Sequence, residues 1–279
     1  MQIQKLNNSS ISQLISLCEA VGWLQPQLFM RKQFEMYLSI GSLFGYTQNE
    51  KLIATGGVFP SESGFSSIGM LMVHPNFQKQ GLGHSLLDFC VQQAPTSLPV
   101  ILIATDAGVP LYQKYGFTTI TTIHRFEKFV TNTSTNLSHF KQIIQDDLSS
   151  LIKLDKTATG THRPNHYSIL LARAALTFKI ERNHRIESFA LCIQKGDVLC
   201  ITPLIAKNEG DAIQLLQSIC KGWNGTVRID VPHSQCTFRA HLESKGFQET
   251  LLSPLMIKNG SHLSGNRDHL FAMMDAALC

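Results

Sequence analysis

The stretch "HPNFQKQGLGHSLLDFC" (74–90) places Gln78, Gly81 and Gly83 in a short loop directly before a run with helical periodicity. Two glycines separated by one residue weaken regular structure and let a backbone come close to something else. Successive main-chain N–H groups at a helix start form an anion site, so residues 79–84 can donate to a phosphate. Two common phosphate loops do not fit. A nucleoside-triphosphate loop needs Lys-Ser/Thr after its last glycine, and none follows Gly83. A dinucleotide fingerprint needs a third glycine where Leu86 stands, and no matching acidic strand end follows. A strand-to-helix turn with no ligand is the plain alternative. Elsewhere, His162 and His166 have the spacing of helical metal ligands, but Pro164 between them breaks the helix, and no metal is expected. No Cys or Ser sits in a recognisable nucleophile motif, which favours direct transfer over a covalent intermediate.

The elements around the loop define its context. Ile11, Leu14, Ile15, Leu17 and Cys18 predict a helix over 11–23 that ends at Gly22, and 28–41 predicts a second with Phe29, Phe34, Tyr37 and Leu38 inward. Strand-like runs come next at 42–48, 51–60 and 65–75, and Leu82, Leu86, Leu87, Cys90 and Val91 mark an amphipathic helix after the glycines. "PVILIATD" (99–106) suits a strand buried on both faces; a short helix to Gly116 and a β-rich return over 118–129 complete a mixed α/β unit. The polar run at 130–140 reads as a linker. The second half of the chain repeats the order: "LCITPLIA" (199–206), "GDAIQLLQSICKGW" (210–223), "TVRIDVP" (226–232) and "HLESKGFQET" (241–250) parallel the strand, helix, strand and Gly-Phe turn of the first half. The loop does not repeat, because "KNEGDA" (207–212) has no G-x-G.

At 279 residues the chain is long enough for two ordinary domains. Twenty-four basic residues against 20 acidic ones, without like-charge blocks, give no footprint for nucleic acid or a membrane surface. Seven cysteines without a C-x-x-C pair argue against a disulfide framework or zinc site and fit a reducing cytoplasm. No apolar run approaches a membrane span, and the first residues lack a signal-peptide core.

Gln78-x-x-Gly81-x-Gly83 after a strand ending Val73-His74-Pro75, with "LYQKYGF" about thirty residues on, resembles the GNAT superfamily of N-acetyltransferases. "AVGW", "LDKTATGTHRPNHYSILL" and "LFAMMDAALC" resemble bacterial tandem members with a divergent second half (the YitH/HolE type). The resemblance implies two tandem α/β domains, each a mixed sheet flanked by helices: an acetyl-CoA-binding domain at 1–129, the linker 130–140, and a divergent domain at 141–279. It implies acetyl transfer from acetyl-CoA to a primary amine, on a small molecule or a peptide. Gln78, Lys79, Gln80, Gly81, Leu82, Gly83 and His84 would hold the pyrophosphate, and the backbone of Leu71, Met72 and Val73 the pantetheine arm. Tyr112 would protonate the departing thiolate and also touch the cofactor. Thr105 stands where the family often has a cofactor-contacting Asn. Asp106, His74 and Glu62 are candidate bases, Asp106 being preferred. Trp23 would wall the acceptor pocket or pack on the core as a staple; Asp155 and Arg163, in a D-x₄-G-x₂-R pattern with Gly160, would bind substrate or form an interdomain salt bridge. A monomer or homodimer is expected. A non-catalytic acyl-CoA sensor is the rival reading.

Overall fold

A computed structural model describes residues 2–131 and 142–279. After a short strand β1 (Ile3–Lys5), the first half runs α1 (Ile11–Ala20), α2 (Gln27–Ile40), β2 (Ser42–Gln48), β3 (Lys51–Phe59), β4 (Ser66–Val73), α3 (Leu82–Gln93), β5 (Val100–Ile103), α4 (Val109–Lys114) and β6 (Thr118–Val130). The second half repeats that order: α5 (Leu148–Thr159), α6 (Pro164–Arg173), β7 (Leu176–Arg182), β8 (Arg185–Lys195), β9 (Val198–Ile205), α7 (Glu209–Lys221), β10 (Gly225–Pro232), α8 (Cys236–Ser244) and β11 (Gln248–Lys258). A last short strand, β12 (Leu270–Ala272), closes the series. From residue 132 onward the run read as a linker lies outside the described residues, and Val130 still belongs to β6.

The repeat extends to single hydrogen bonds. Gly116 (φ +83°) and Gly246 (φ +81°) end α4 and α8 in the left-handed region, where glycine carries no Cβ penalty. The next residues, Phe117 and Phe247, each donate 3.0 Å back to the carbonyl five residues earlier, on Tyr112 and Leu242. The position of Tyr112 is therefore held by leucine in the second half.

The strands join in one twelve-stranded mixed sheet, in the order β1-β2-β3-β4-β5-β11-β6-β10-β9-β8-β7, with β12 against β9. The halves exchange their last strands. β5 pairs with β11, not with its own β6, and β6 lies between β11 and β10. The interface between halves is thus a run of backbone ladders. α3 and α4 bury Leu82, Leu86, Leu87 and Tyr112 in one core, α7 and α8 bury Leu215, Ile219, Phe238 and Leu242 in a second, and α1, α2, α5 and α6 share a third that spans both halves.

Candidate active site

Between β4 and β5 only Ser66–Val100 and Ser67–Ile101 pair; beyond them the two parallel strands part. Opposite the gap β4 carries a bulge. Thr55 faces Met72 and Gly57 faces Gly69, so Met70 and Leu71 together oppose Gly56. Met70 takes φ +53°, a left-handed conformation that costs an L side chain energy and bends the strand out of its ladder. The bulge interrupts the β3–β4 ladder at the residues beside the gap.

At the far end of β4 the loop wraps back over the strand. Gln78 donates its side-chain amide to the Val73 carbonyl at 3.2 Å. Lys79 (φ +61°) and Gly81 (φ +82°) are both left-handed, and Gly81 is the N-cap of α3. A glycine cap has no side chain to satisfy the first-turn N–H groups, so those of Leu82, Gly83 and His84 are free to bind an anion. Gly83 itself is not in the left-handed region, and a Cβ there would sit 3.5 Å from Val73 Cγ2 and 3.7 Å from Leu111 Cδ2, ordinary contacts. The fold does not require glycine at 83. These features fit the pyrophosphate of coenzyme A.

The corresponding place in the second half is filled. β9 and β10 pair from Val198–Thr226 to Ile201–Ile229 and then part, as β4 and β5 do. Into that gap the chain lays its own β12: Leu270 and Ala272 pair with Ile205 and Leu204, and Met273 donates to the Asp230 carbonyl at 2.9 Å. α7 is capped by Asn208, which accepts from Asp211 N–H at 2.9 Å. Asp211 is held by Arg182 (2.6 and 2.9 Å) and Ser188 (2.6 Å). Its carboxyl lies below its ordinary value, the Arg182 hydrogen bonds outweighing burial.

Behind the β4–β5 gap lies a cavity of about 550 Å³. Gly69, Met70 and Leu71 of the bulge, Ala104, Thr105 and Tyr112 line one side of it. Residues 273–277 run along it, and Ala277 lies so close to β4 that a Cβ on Gly69 would fall 2.5 Å from the Ala277 Cβ. Trp23, directed there after α1 stops at Gly22 (φ +81°), walls the mouth and is 40% exposed. Tyr112 packs in the α3–α4 core yet reaches the cavity, and burial pushes its phenol up to about 12. It therefore stays protonated at neutral pH.

The opposite wall is polar and comes from both halves. Arg125 on β6 stands directly across the ladder from Asp230 on β10, and Arg228 is two residues before it on the same face. Asp230 accepts from Arg125 at 2.9 and 3.3 Å and from Arg228 at 3.1 and 2.6 Å. Burial alone would raise the Asp230 carboxyl, but the two guanidinium groups hold it below its ordinary value. Lys195 of β8 and Cys200 of β9 continue the stripe. On the segment after β12, Asp275 accepts from Tyr37 (2.8 Å), Gln33 (3.2 Å) and Ala277 N–H (2.8 Å), all neutral donors.

The expected residues separate into two groups. Gln78–His84 and Val73 form the loop over the end of β4 and the uncapped start of α3, while Leu71, Thr105, Tyr112 and Trp23 line the cavity; Met72 is buried in the core behind β4. Asp106 is exposed after β5 and does not line the cavity. His74 is used locally, its ring accepting from Asn76 N–H, and Glu62 faces His162 at 3.5 Å. Asp155 and Arg163, 1% and 3% exposed, bind each other at 2.8 and 2.9 Å. Arg163 also donates to the carbonyls of Leu278 and Cys279, so the pair anchors the end of the 273–279 segment and lies outside the cavity lining.

Reading the sequence alone misses Arg125, Lys195, Arg228, Asp230 and Asp275. A signal is present for two of them. In "TVRIDVP" Val227, Ile229 and Val231 are fully buried while Arg228 and Asp230 alternate with them. A strand with charges on one face, inside a helix-covered sheet, has something other than a packed core on that face.

Two family models, each described as an acetyltransferase (GNAT) domain, match residues 25–133 and 151–272. The uncharacterized N-acetyltransferase YitH of Bacillus subtilis is 27% identical over 99% of this chain and 98% of its own length. A putative acetyltransferase from Pyrococcus horikoshii superposes with a TM-score of 0.83 at 19% identity, covering 100% of this chain and 95% of that one. A tandem GNAT protein from the clavulanic acid biosynthesis pathway gives 0.65 at 10% identity, covering 92% and 98%. With one match in each half and a full-length relative, the chain belongs to the GNAT acetyltransferases as a tandem member of that family.

Proposed function

We propose that the first half binds acetyl-CoA and delivers its acetyl group to a primary amine held in the cavity, by direct attack with both substrates bound. The observation that carries this reading is the asymmetry of the two strand gaps. One has an uncapped helix, an unforced glycine and an open bulge; the other is plugged by β12 and capped by Asn208. Acetyl-CoA would supply the activated thioester. The first-turn N–H groups of α3 hold the pyrophosphate, and the main chain of Leu71–Val73 aligns the pantetheine arm along β4. A free N–H in that stretch can polarise the acetyl carbonyl. Tyr112 donates to the departing sulfur. A phenol near 12 is a weak acid against a thiol of about 8.5, so its part is a hydrogen bond that tightens as the C–S bond breaks.

The amine must be uncharged to attack. Four cations (Arg125, Arg173, Lys195 and Arg228) against two carboxylates (Asp230 and Asp275) in the cavity wall disfavour an ammonium there, which lowers the acceptor's pKa. Asp275 is the cavity carboxylate bound only by neutral donors and accepts from the amine; Asp106, off the cavity, can take part only through water. The division 1–129 and 141–279 then has a functional sense: the first part carries the cofactor, and the second shapes the acceptor pocket.

Calorimetric titration of the full chain with acetyl-CoA should give one site per chain, and thiol release should depend on added amine. Two equivalent sites would make the second half a cofactor site as well. Binding without thiol release from any amine would favour the acyl-CoA sensor.

A further inference from the structure

The cavity wall does not balance its own charge. Asp230 is shared between Arg125 and Arg228, and Asp275, held by Tyr37 and Gln33, is the other carboxylate in the lining, so two carboxylates face four cations. Arg173 donates to Gln33 Oε1 at 3.1 Å and lies 5.9 Å over the Phe29 ring. Lys195 Nζ lies 5.0 Å over the same ring and, among the described residues, has no carboxylate within ion-pair distance. It is partly buried, and burial together with the nearby guanidinium groups makes its charge costly. A folded protein gains nothing by collecting uncompensated cations around one enclosed space. The phosphates of coenzyme A do not explain them, because no residue of 78–84 lines this cavity.

We infer that the amine acceptor carries an oxyanion, a carboxylate or a phosphate, which Lys195 receives together with the outer edges of Arg228 and Arg125. The inference rests on the transferase reading for the other end of the molecule, the amine beside the β4 bulge. A cavity of about 550 Å³ takes both ends of one small amino acid-like compound. The oxyanion would supply the missing negative charge and fix the amine's distance from β4.

The test reads binding first, so that it does not depend on turnover. Full-length protein is titrated, with and without saturating coenzyme A, with 4-aminobutyrate and 6-aminohexanoate, with phosphoethanolamine, and with butylamine, hexylamine and ethanolamine as uncharged-tail controls. At least one oxyanion-bearing amine should bind tenfold or more tightly than its control, the order expected for one charge-assisted contact. The carboxylate and phosphate arms identify which oxyanion fits. Lys195→Met keeps the apolar stem over Phe29, so a variant melting like the parent should lose most of that preference. Lys195→Glu should turn it toward putrescine. Equal binding of charged and uncharged tails, an unchanged preference in Lys195→Met, or no binding by any probe overturns the inference. Oxyanion-dependent binding in a protein that releases no thiol with any amine would instead overturn the transferase reading and leave only the cavity's oxyanion site standing.

Discussion

Replacing Gly83 separates what the fold needs from what the ligand needs. Gly83 is the second residue of α3, and its φ is not in the left-handed region. Helix propensity alone makes Ala at a helix position up to about 1 kcal/mol better than Gly, and Val about half as beneficial. The neighbours of a new Cβ, Val73 Cγ2 at 3.5 Å and Leu111 Cδ2 at 3.7 Å, are side-chain methyls at ordinary distance. Gly83→Val should therefore melt within a degree or two of the parent, or slightly above it. Binding should fare differently. The first-turn N–H groups must approach phosphate oxygens to about 2.9 Å, and a branched side chain at the second residue crowds that approach. Losing one hydrogen bond to a charged group costs about 1.5–3 kcal/mol, so the acetyl-CoA Kd should rise roughly 10- to 150-fold. Gly81→Ala is the contrasting control. Its φ of +82° strains any L residue, so it should lose about 1–2 kcal/mol of stability in denaturant unfolding. Calorimetry and denaturant melts on both variants decide the matter. An unchanged Kd in Gly83→Val would remove the loop from the cofactor site, and a large loss of stability there would mean the glycine serves packing.

Three further outcomes concern buried groups. Tyr112→Phe should leave acetyl-CoA affinity near that of the parent and lower kcat on the order of 10²-fold, measured by thiol release; parental turnover would assign the proton to water. Arg163→Met leaves Asp155 buried without its partner and frees Leu278 and Cys279, so it should cost about 3–5 kcal/mol by denaturant unfolding, while Asp155→Leu with Arg163→Met should recover much of that loss. His166, buried and beside Arg163, is pushed down to about 3 by burial first and that charge second. The unfolded chain then binds the extra proton between its ordinary value near 6.5 and pH 3, so stability falls as pH drops through that window, by up to about 1.4 kcal/mol per unit. His166→Leu should flatten this slope in melts from pH 7 to 4; an unchanged slope would assign it to the carboxylates.

The periodic elements were legible because their causes are local. Leu82, Leu86 and Leu87 at helical spacing and "PVILIATD" as an apolar run each follow from the face they bury, and the matching Gly-Phe turns at 116–117 and 246–247 marked the duplication without any tertiary information. The glycine cap of α3 was legible for the same reason, since it needs only its own backbone. Strand exchange was not. Placing β11 beside β5 and β6 beside β10 satisfies the same alternation as pairing each strand within its own half, because β6 and β11 are equivalent in the repeat. Only the covalent path differs, and side-chain patterns do not encode it. That exchange is also what builds the polar wall. Arg125 reaches Asp230 because β6 crosses into the second half and sets the two residues opposite each other in register. Had β6 stayed beside β5, Arg125 and Asp230 would lie in different sheets, and the cavity would lose the side that joins the two halves. In the second half β12 fills the gap between β9 and β10, and the exchanged strand β6 supplies the cavity with a wall that joins the two halves.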